Sequence, residues 1–336
     1  MRNAWASIRL PLALAALAGG WLAAAPAAAQ VTPPSLALPI QCRPGVDCEI
    51  QNYVDRDPGP GVLDYQCGSR TYQAHTGIDF RVPTLARQRQ GVAVLAAADG
   101  RVLRLRDGVA DISVRITGRE ALEGRDCGNG VLLLHEGGFT TQYCHLANGS
   151  IAVKPDDEVK AGHVLGRVGL SGRTEYPHLH FTVRSGQALV DPFAYGAPEG
   201  SCQGGRSLWR PELQEALAYK ARIVLNAGFA AQAPLTMAAI EEGPDAPTPD
   251  APALLAYARG IGLKAGDVQT VTLKGPDGAL LAANTTPPLP RDQAQNMVFT
   301  GAARPAGGWV RGRYVGEYVV RQGGQVVLSR SFETRL

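Results

Sequence analysis

Turn-forming residues interrupt this chain too often for long helices: 40 glycines and 24 prolines are spread through 336 residues. Glycine supplies the positive φ of tight turns and proline stops helix propagation, so short strands joined by turns are favoured. Hydrophobic residues make up 45% and charged residues 19%, which suits a packed core and excludes a disordered tail protein. Val92 to Ala97, Arg101 to Leu105, Ile112 to Ile116, Val131 to His135, Thr140 to His145 and His178 to Val183 read as strands. Gly137-Gly138 marks a hairpin between two of them. Val92 to Val102, passing through Asp99-Gly100, and Asp156 to Val168, passing through Lys160-Ala161-Gly162, share one theme and suggest a duplicated hairpin unit.

The pattern shifts after Pro192. Pro198, Gly200, Gly204 and Gly205 form a hinge-like stretch, Trp209 to Ala218 suits a short helix, and Tyr219 to Leu225 alternates like a strand. Pro244 to Pro252 reads as a loop. Val268 to Leu273, Met297 to Thr300, Trp309 to Val319 and Gln325 to Ser331 are further strands. Their even spacing predicts a β-sandwich-like accessory domain over residues 205–336. At the other end, residues 30–60 carry Pro33-Pro34 and Asp57-Pro58-Gly59-Pro60 and read as an irregular N-terminal arm.

Residues 1–29 read as a signal peptide: Arg2 and Arg9 precede the apolar stretch Leu10 to Ala25, and Ala27-Ala28-Ala29 offers small residues for cleavage before Gln30. Pro11, Gly19, Gly20 and Pro26 make it a poor membrane anchor, and no other apolar stretch approaches spanning length, so the mature chain is expected to have no integral membrane span. The expected location is periplasmic or extracellular. Losing the two leader arginines takes the formal net charge from +3 to about +1, which leaves no electrostatic footprint for nucleic acid.

Export decides how the six cysteines are read. None forms a C-x-x-C pair, and an even number in an oxidising compartment favours disulfides over a cysteine metal site. The expected pairs are Cys42 with Cys48, Cys127 with Cys144, and Cys67 with Cys202.

The chain has six histidines. Chance would give roughly 0.1 His-x-His pairs, so His178-Leu179-His180 calls for an explanation, whereas His75 and Asp79 four apart are weak evidence alone. In an extended strand His178 and His180 share one side and Leu179 and Phe181 the other. The same parity puts His75, Gly77 and Asp79 together with Ile78 and Phe80 inward, and Gly77 permits a close approach. It also sets Tyr143 beside His145 and turns Cys144 away, leaving that cysteine for a structural bridge and making it a poor nucleophile. His135, at a strand end, and His163, in a turn, are read as ordinary structural residues.

His75-Thr76-Gly77-Ile78-Asp79, Tyr143-Cys144-His145-Leu146 and His178-Leu179-His180-Phe181 together resemble the three signature blocks of the lysostaphin-type (LytM-like, β-lytic) zinc metallopeptidases. Gly128-Asn129-Gly130-Val131, Val159-Lys160-Ala161-Gly162 and Val190-Asp191-Pro192 are similar to that family too, so the resemblance covers about residues 61 to 195. It implies an all-β fold, an antiparallel sheet with a groove of duplicated-hybrid-motif type, as a peptidase domain over residues 61–200. It further implies zinc held by His75, Asp79 and His180, with His145 and His178 as catalytic imidazoles, and peptidoglycan as substrate. Thr182 stands where the family usually has Glu, and Thr174-Glu175-Tyr176-Pro177 replaces a more Gly-rich approach to His178.

Two His nitrogens and a carboxylate suit zinc on chemical grounds, with a fourth position left for water. The expected activity is therefore zinc-dependent endopeptidase cleavage of peptide bonds in peptidoglycan. A non-hydrolytic peptidoglycan-binding regulator and a general extracellular protease are the alternatives.

Overall fold

The computed structural model describes Met1 and residues 32–336; the leader read at 1–29 otherwise lies outside them. The regular structure of the described chain is antiparallel β-sheet apart from short helical turns. Seventeen strands run in order: β1 Glu49–Asn52, β2 Ile78–Arg81, β3 Ala93–Leu95, β4 Gly100–Arg106, β5 Asn129–Leu134, β6 Phe139–Leu146, β7 Glu158–Val159, β8 Val164–Arg167, β9 His178–Ser185, β10 Ala188–Val190, β11 Ile223–Ala230, β12 Ala253–Leu263, β13 Val268–Lys274, β14 Leu280–Thr285, β15 Gln293–Ala303, β16 Arg313–Gln322 and β17 Gln325–Arg335. The helices are α1 Leu85–Arg89, α2 Val114–Thr117 and α3 Met237–Glu242. Among the described residues no helix is long and apolar enough to cross a membrane.

The first sheet runs β1-β2-β9-β6-β5-β4-β7, with β10 beside β9. One face is core: Ile50, Ile78, Phe80, Leu179, Phe181, Tyr143 and Leu133 are all buried. The other carries the polar residues that alternate with them, as a half-buried sheet requires. The two look-alike stretches find each other in space, β3 pairing with β8 and β4 with β7. Beyond this sheet lie a three-stranded sheet, β11-β12-β15, and a four-stranded one, β14-β13-β16-β17. A shared core containing Leu254, Ala258, Val271, Tyr314 and Tyr318 lies between them in a sandwich. Trp209 and Trp309 are both buried.

Several local expectations are corrected. Ile112 to Ile116 is no strand: Val114–Thr117 is one helical turn, started by the Ser113 hydroxyl accepting from Arg115 N and ended at Gly118. Capping wins there because no neighbouring strand offers a ladder. Trp209 to Ala218 holds only a 3-10 turn at Pro211–Leu213, and the Tyr219 to Leu225 strand starts later and runs on as β11. The longest buried strand, β12, was not foreseen; it is covered on both faces and shows no polar alternation. The arm is not irregular throughout. Leu36, Ile40, Ile50, Tyr53 and Val54 join the first core, and residues 49–52 form the edge strand β1. Arg56 reaches Asp191 at 3.4 Å, fastening the segment to the Val190-Asp191-Pro192 turn. The disulfides are Cys42–Cys48, Cys67–Cys202 and Cys127–Cys144, as expected.

Candidate active site

Register brings the site together. In the β2–β9 ladder Asp79 lies opposite His180 and Arg81 opposite His178, and residues directly opposed in an antiparallel pair project from the same face. His75 arrives from the loop before β2. Its Nδ1–H donates to the Tyr53 carbonyl at 2.6 Å, and because a carbonyl can only accept, Nε2 is left with its lone pair. That lone pair points at Asp79 Oδ1, 3.1 Å away, and at His180 Nδ1, also 3.1 Å away. His180 uses its other nitrogen outward, Nε2 lying 3.0 Å from the Thr182 hydroxyl, and its Nδ1 stands 2.9 Å from Asp79 Oδ1.

Three electron-pair donors thus converge with their ring hydrogens committed elsewhere. Left to themselves they repel; a divalent cation among them removes the conflict. The donor set, two imidazoles and one carboxylate, therefore fits a metal, and the three atoms lie close enough to share one ion. Asp79 is buried, which alone would push its carboxyl up. The histidines around it, His75 and His178 foremost, outweigh that and hold it well below the usual carboxylate range. Asn52 Nδ2 occupies the carboxylate's other oxygen at 2.8 Å.

His145 and His178 stand beside this cluster with ring centroids 4.7 Å apart. His145 Nδ1–H donates to the Ser171 carbonyl at 2.8 Å. Burial, followed by the neighbouring His178 and His180, pushes its pKa well down, so the ring is neutral at pH 7. His178 Nδ1–H donates to the Tyr176 carbonyl at 3.0 Å, with the Thr174 hydroxyl at 3.1 Å, and its Nε2 lies 3.4 Å from Asp79 Oδ1. His75, His145 and His178 therefore share one device: a backbone carbonyl fixes Nδ1–H and leaves Nε2 free.

An open groove of about 330 Å³ runs past His75, His145 and His180. Tyr72 roofs one side, half exposed, with its ring 4.3 Å from that of His75. Gln142, Arg173 and Thr182 line it further along.

The parity expected around His145 is overturned. Tyr143 lies opposite Phe181 in the core and Cys144 opposite His180 on the groove face. His145 reaches that face because its φ of 64° breaks the alternation. The Cys127–Cys144 bridge therefore lines the groove instead of lying behind it. His135 is structural, held by the Asp99 carbonyl and Thr141, and His163 is exposed. Sequence reasoning missed Tyr53, Ser171 and Asn52. Two of these act through backbone carbonyls, which leave no mark in a sequence. Thr174, Tyr176 and Thr182 were visible only as departures from the family pattern, yet they hold His178 and His180.

Gly77 has a specific steric reason. A Cβ there would come within 2.7 Å of both His180 Nε2 and the Phe181 carbonyl. Gly77→Ala is therefore expected to displace the His180 ring and weaken metal affinity by at least about tenfold. Competition with a chromophoric chelator measures this, and an unchanged affinity would refute the steric account.

Fold and site together define the layout of a metallopeptidase: two histidines and an aspartate at the foot of an open β groove, with two further imidazoles alongside. Residues 73–192 match the model of Peptidase family M23, and this stretch is an M23 domain of the LytM-like type. The DD-carboxypeptidase/endopeptidase Mpg of Neisseria meningitidis serogroup B is 32% identical over 154 residues, 46% of this chain and 30% of that protein. The cell division protein DipM of Caulobacter vibrioides is 33% identical over 121 residues, 36% of this chain and 16% of that protein. Among solved structures, the catalytic domain of the prophage-encoded M23 protein EnpA from Enterococcus faecalis is 25% identical. Its TM-score is 0.31, with 44% of this chain and 92% of that one covered. The matches to Mpg and DipM thus span less than a third of each relative's length.

Proposed function

We propose that this protein is an exported zinc metalloendopeptidase that hydrolyses peptide bonds in the stem peptides or cross-links of bacterial peptidoglycan. The observation that carries the reading is the convergence of His75, Asp79 and His180 beside His145 and His178, with the ring hydrogens of all four histidines committed away from the centre. The M23 domain supports the peptidase class, and the names of Mpg and DipM support a role in the cell envelope. Three disulfides, together with the leader read at 1–29, support export to the periplasm or beyond.

His75, Asp79 and His180 would hold the zinc, whose Lewis acidity lowers the pKa of a coordinated water to about 7 and polarises the scissile carbonyl. The groove orients an extended peptide across these residues. A neutral imidazole whose Nδ1–H is committed accepts at Nε2, so whichever of His145 and His178 is neutral there can begin as the base. The one that takes the proton from the attacking water becomes the acid that returns it to the leaving amine as the C–N bond breaks, and the other can steady the oxyanion only when its Nε2 carries a proton.

His145→Ala and His178→Ala are each expected to keep about one zinc per chain while kcat falls about 10²- to 10⁴-fold. Metal analysis beside hydrolysis of purified sacculi, with and without a chelator, tests the whole reading, and mass spectrometry of released muropeptides identifies the bond cut. Stoichiometric zinc with no hydrolysis of any wall preparation would favour a peptidoglycan-binding regulator instead, and equal cleavage of casein would favour a general protease.

A further inference from the structure

The sandwich sends a charged contact into the floor of the site. Arg81, on the groove face of β2 and opposite His178, is completely buried, as is Arg259 of β12. Both guanidinium groups share Oε1 of Glu241 in α3, Arg81 through Nη2 at 3.2 Å and Arg259 through Nη1. Arg81 also donates to Gln51 Oε1 at 2.8 Å, while its Nε has no partner. Its guanidinium lies over the ring of Tyr176, 3.9 Å from the centroid. Tyr176 in turn stands against the chemistry: its carbonyl accepts His178 Nδ1–H, and its hydroxyl receives Asn52 Nδ2, which also holds Asp79 Oδ2.

We propose that the C-terminal β unit is a positioning element for the site, with Glu241 acting through Arg81 and Tyr176 to hold the ring of His178 beside Asp79. The proposal rests on the peptidase reading above. Simple adhesion between the units would not need this arrangement, because buried ion pairs seldom stabilise more than apolar packing of equal volume. Two buried guanidiniums against one carboxylate leave a positive excess. The remaining contacts of Arg81 are the Gln51 side-chain oxygen and the π face of Tyr176. If the Glu241 charge is removed, Arg81 and Arg259 repel each other with nothing between them, and the group that moves is the one resting on Tyr176.

Glu241→Gln in the full chain is expected to lower kcat ten- to hundredfold, with KM and zinc affinity each within threefold of wild type. Glu241→Asp should recover most of the loss. Glu242→Gln, on the same helix but in an exposed pair with Arg89, should leave kcat unchanged. Tyr176→Leu should lower kcat similarly, and combining it with Glu241→Gln should add little, because both act on one ring. Should Glu241→Gln fail to fold, Arg81→Lys, which keeps the charge but loses the planar group resting on Tyr176, takes its place in that cycle. Independent, multiplying effects, or a folded Glu241→Gln with kcat within twofold of wild type, would overturn the proposal.

A wild-type protein that cuts nothing would count against the peptidase reading instead. The positioning claim is then decided by the ¹⁵N resonances of labelled histidines in the zinc-loaded protein. His178 should shift in Glu241→Gln while His135 does not, and an unmoved His178 signal refutes it.

Discussion

Exchanging Asp79 for Asn is expected to yield a folded protein that retains no stoichiometric zinc and cuts its substrate about 10³-fold or more slowly than wild type. The carboxylate is buried among three imidazoles and, among the described residues, supplies the only negative charge within contact of their nitrogens. An amide of the same shape keeps the packing and one acceptor oxygen for Asn52 but removes the charge that offsets a dication. Metal analysis and kcat/KM on a defined muropeptide report the two losses. A third measurement separates a metal defect from misfolding. Zinc at a thousand times its dissociation constant stabilises the native state by about 4 kcal/mol. A chelator should therefore lower the melting temperature of wild type and leave that of Asp79→Asn unmoved. His180→Ala should behave in the same way. Full zinc occupancy and activity in either variant would remove the centre on which the functional reading stands.

The sequence carried the site further than it carried the fold around it. His178-Leu179-His180 announces its geometry because strand alternation is a local rule, and the ladder observes it: both imidazoles lie on the sheet face away from buried Leu179 and Phe181, His180 lining the groove and His178 beside Asp79. The same rule fails on the adjacent strand β6 at His145, where one residue in the left-handed region turns the parity over. Nothing about a histidine marks it for positive φ, so that reversal was illegible. Strand β12 escaped for a different reason, since a strand buried on both faces looks like any apolar run. The arm escaped because its Pro-rich composition hides the residues that insert into the core, Leu36, Ile40 and Tyr53. Most invisible are the partners that choose each tautomer. The carbonyls of Tyr53, Ser171 and Tyr176 act as backbone, so their side chains carry no signal of the role.

Removing the Cys67–Cys202 bridge should destabilise the protein more than removing Cys42–Cys48, although each is a single bond. The first closes 135 residues and the second only 6. In the chain-entropy account the stabilisation grows with the logarithm of loop length, which puts the long bridge at about 5 kcal/mol and the short one about 3 kcal/mol lower. A domain of this size loses about 2–4 °C per kcal/mol, so Cys67→Ser with Cys202→Ser should melt roughly 10 °C or more below wild type. Cys42→Ser with Cys48→Ser should fall by less than half as much. The longer bridge also matters to the site. It ties the turn holding Cys67, eight residues before His75, to the segment after β10, and Tyr65 beside it stacks on Phe193 at 4.8 Å. Loosening that turn frees the chain that delivers His75, the proposed ligand, so zinc affinity should drop in the long-bridge variant and stay constant in the short-bridge one. Calorimetry under non-reducing conditions and chelator competition read both effects. Equal losses of stability from the two variants would mean that loop closure is not what these bonds contribute.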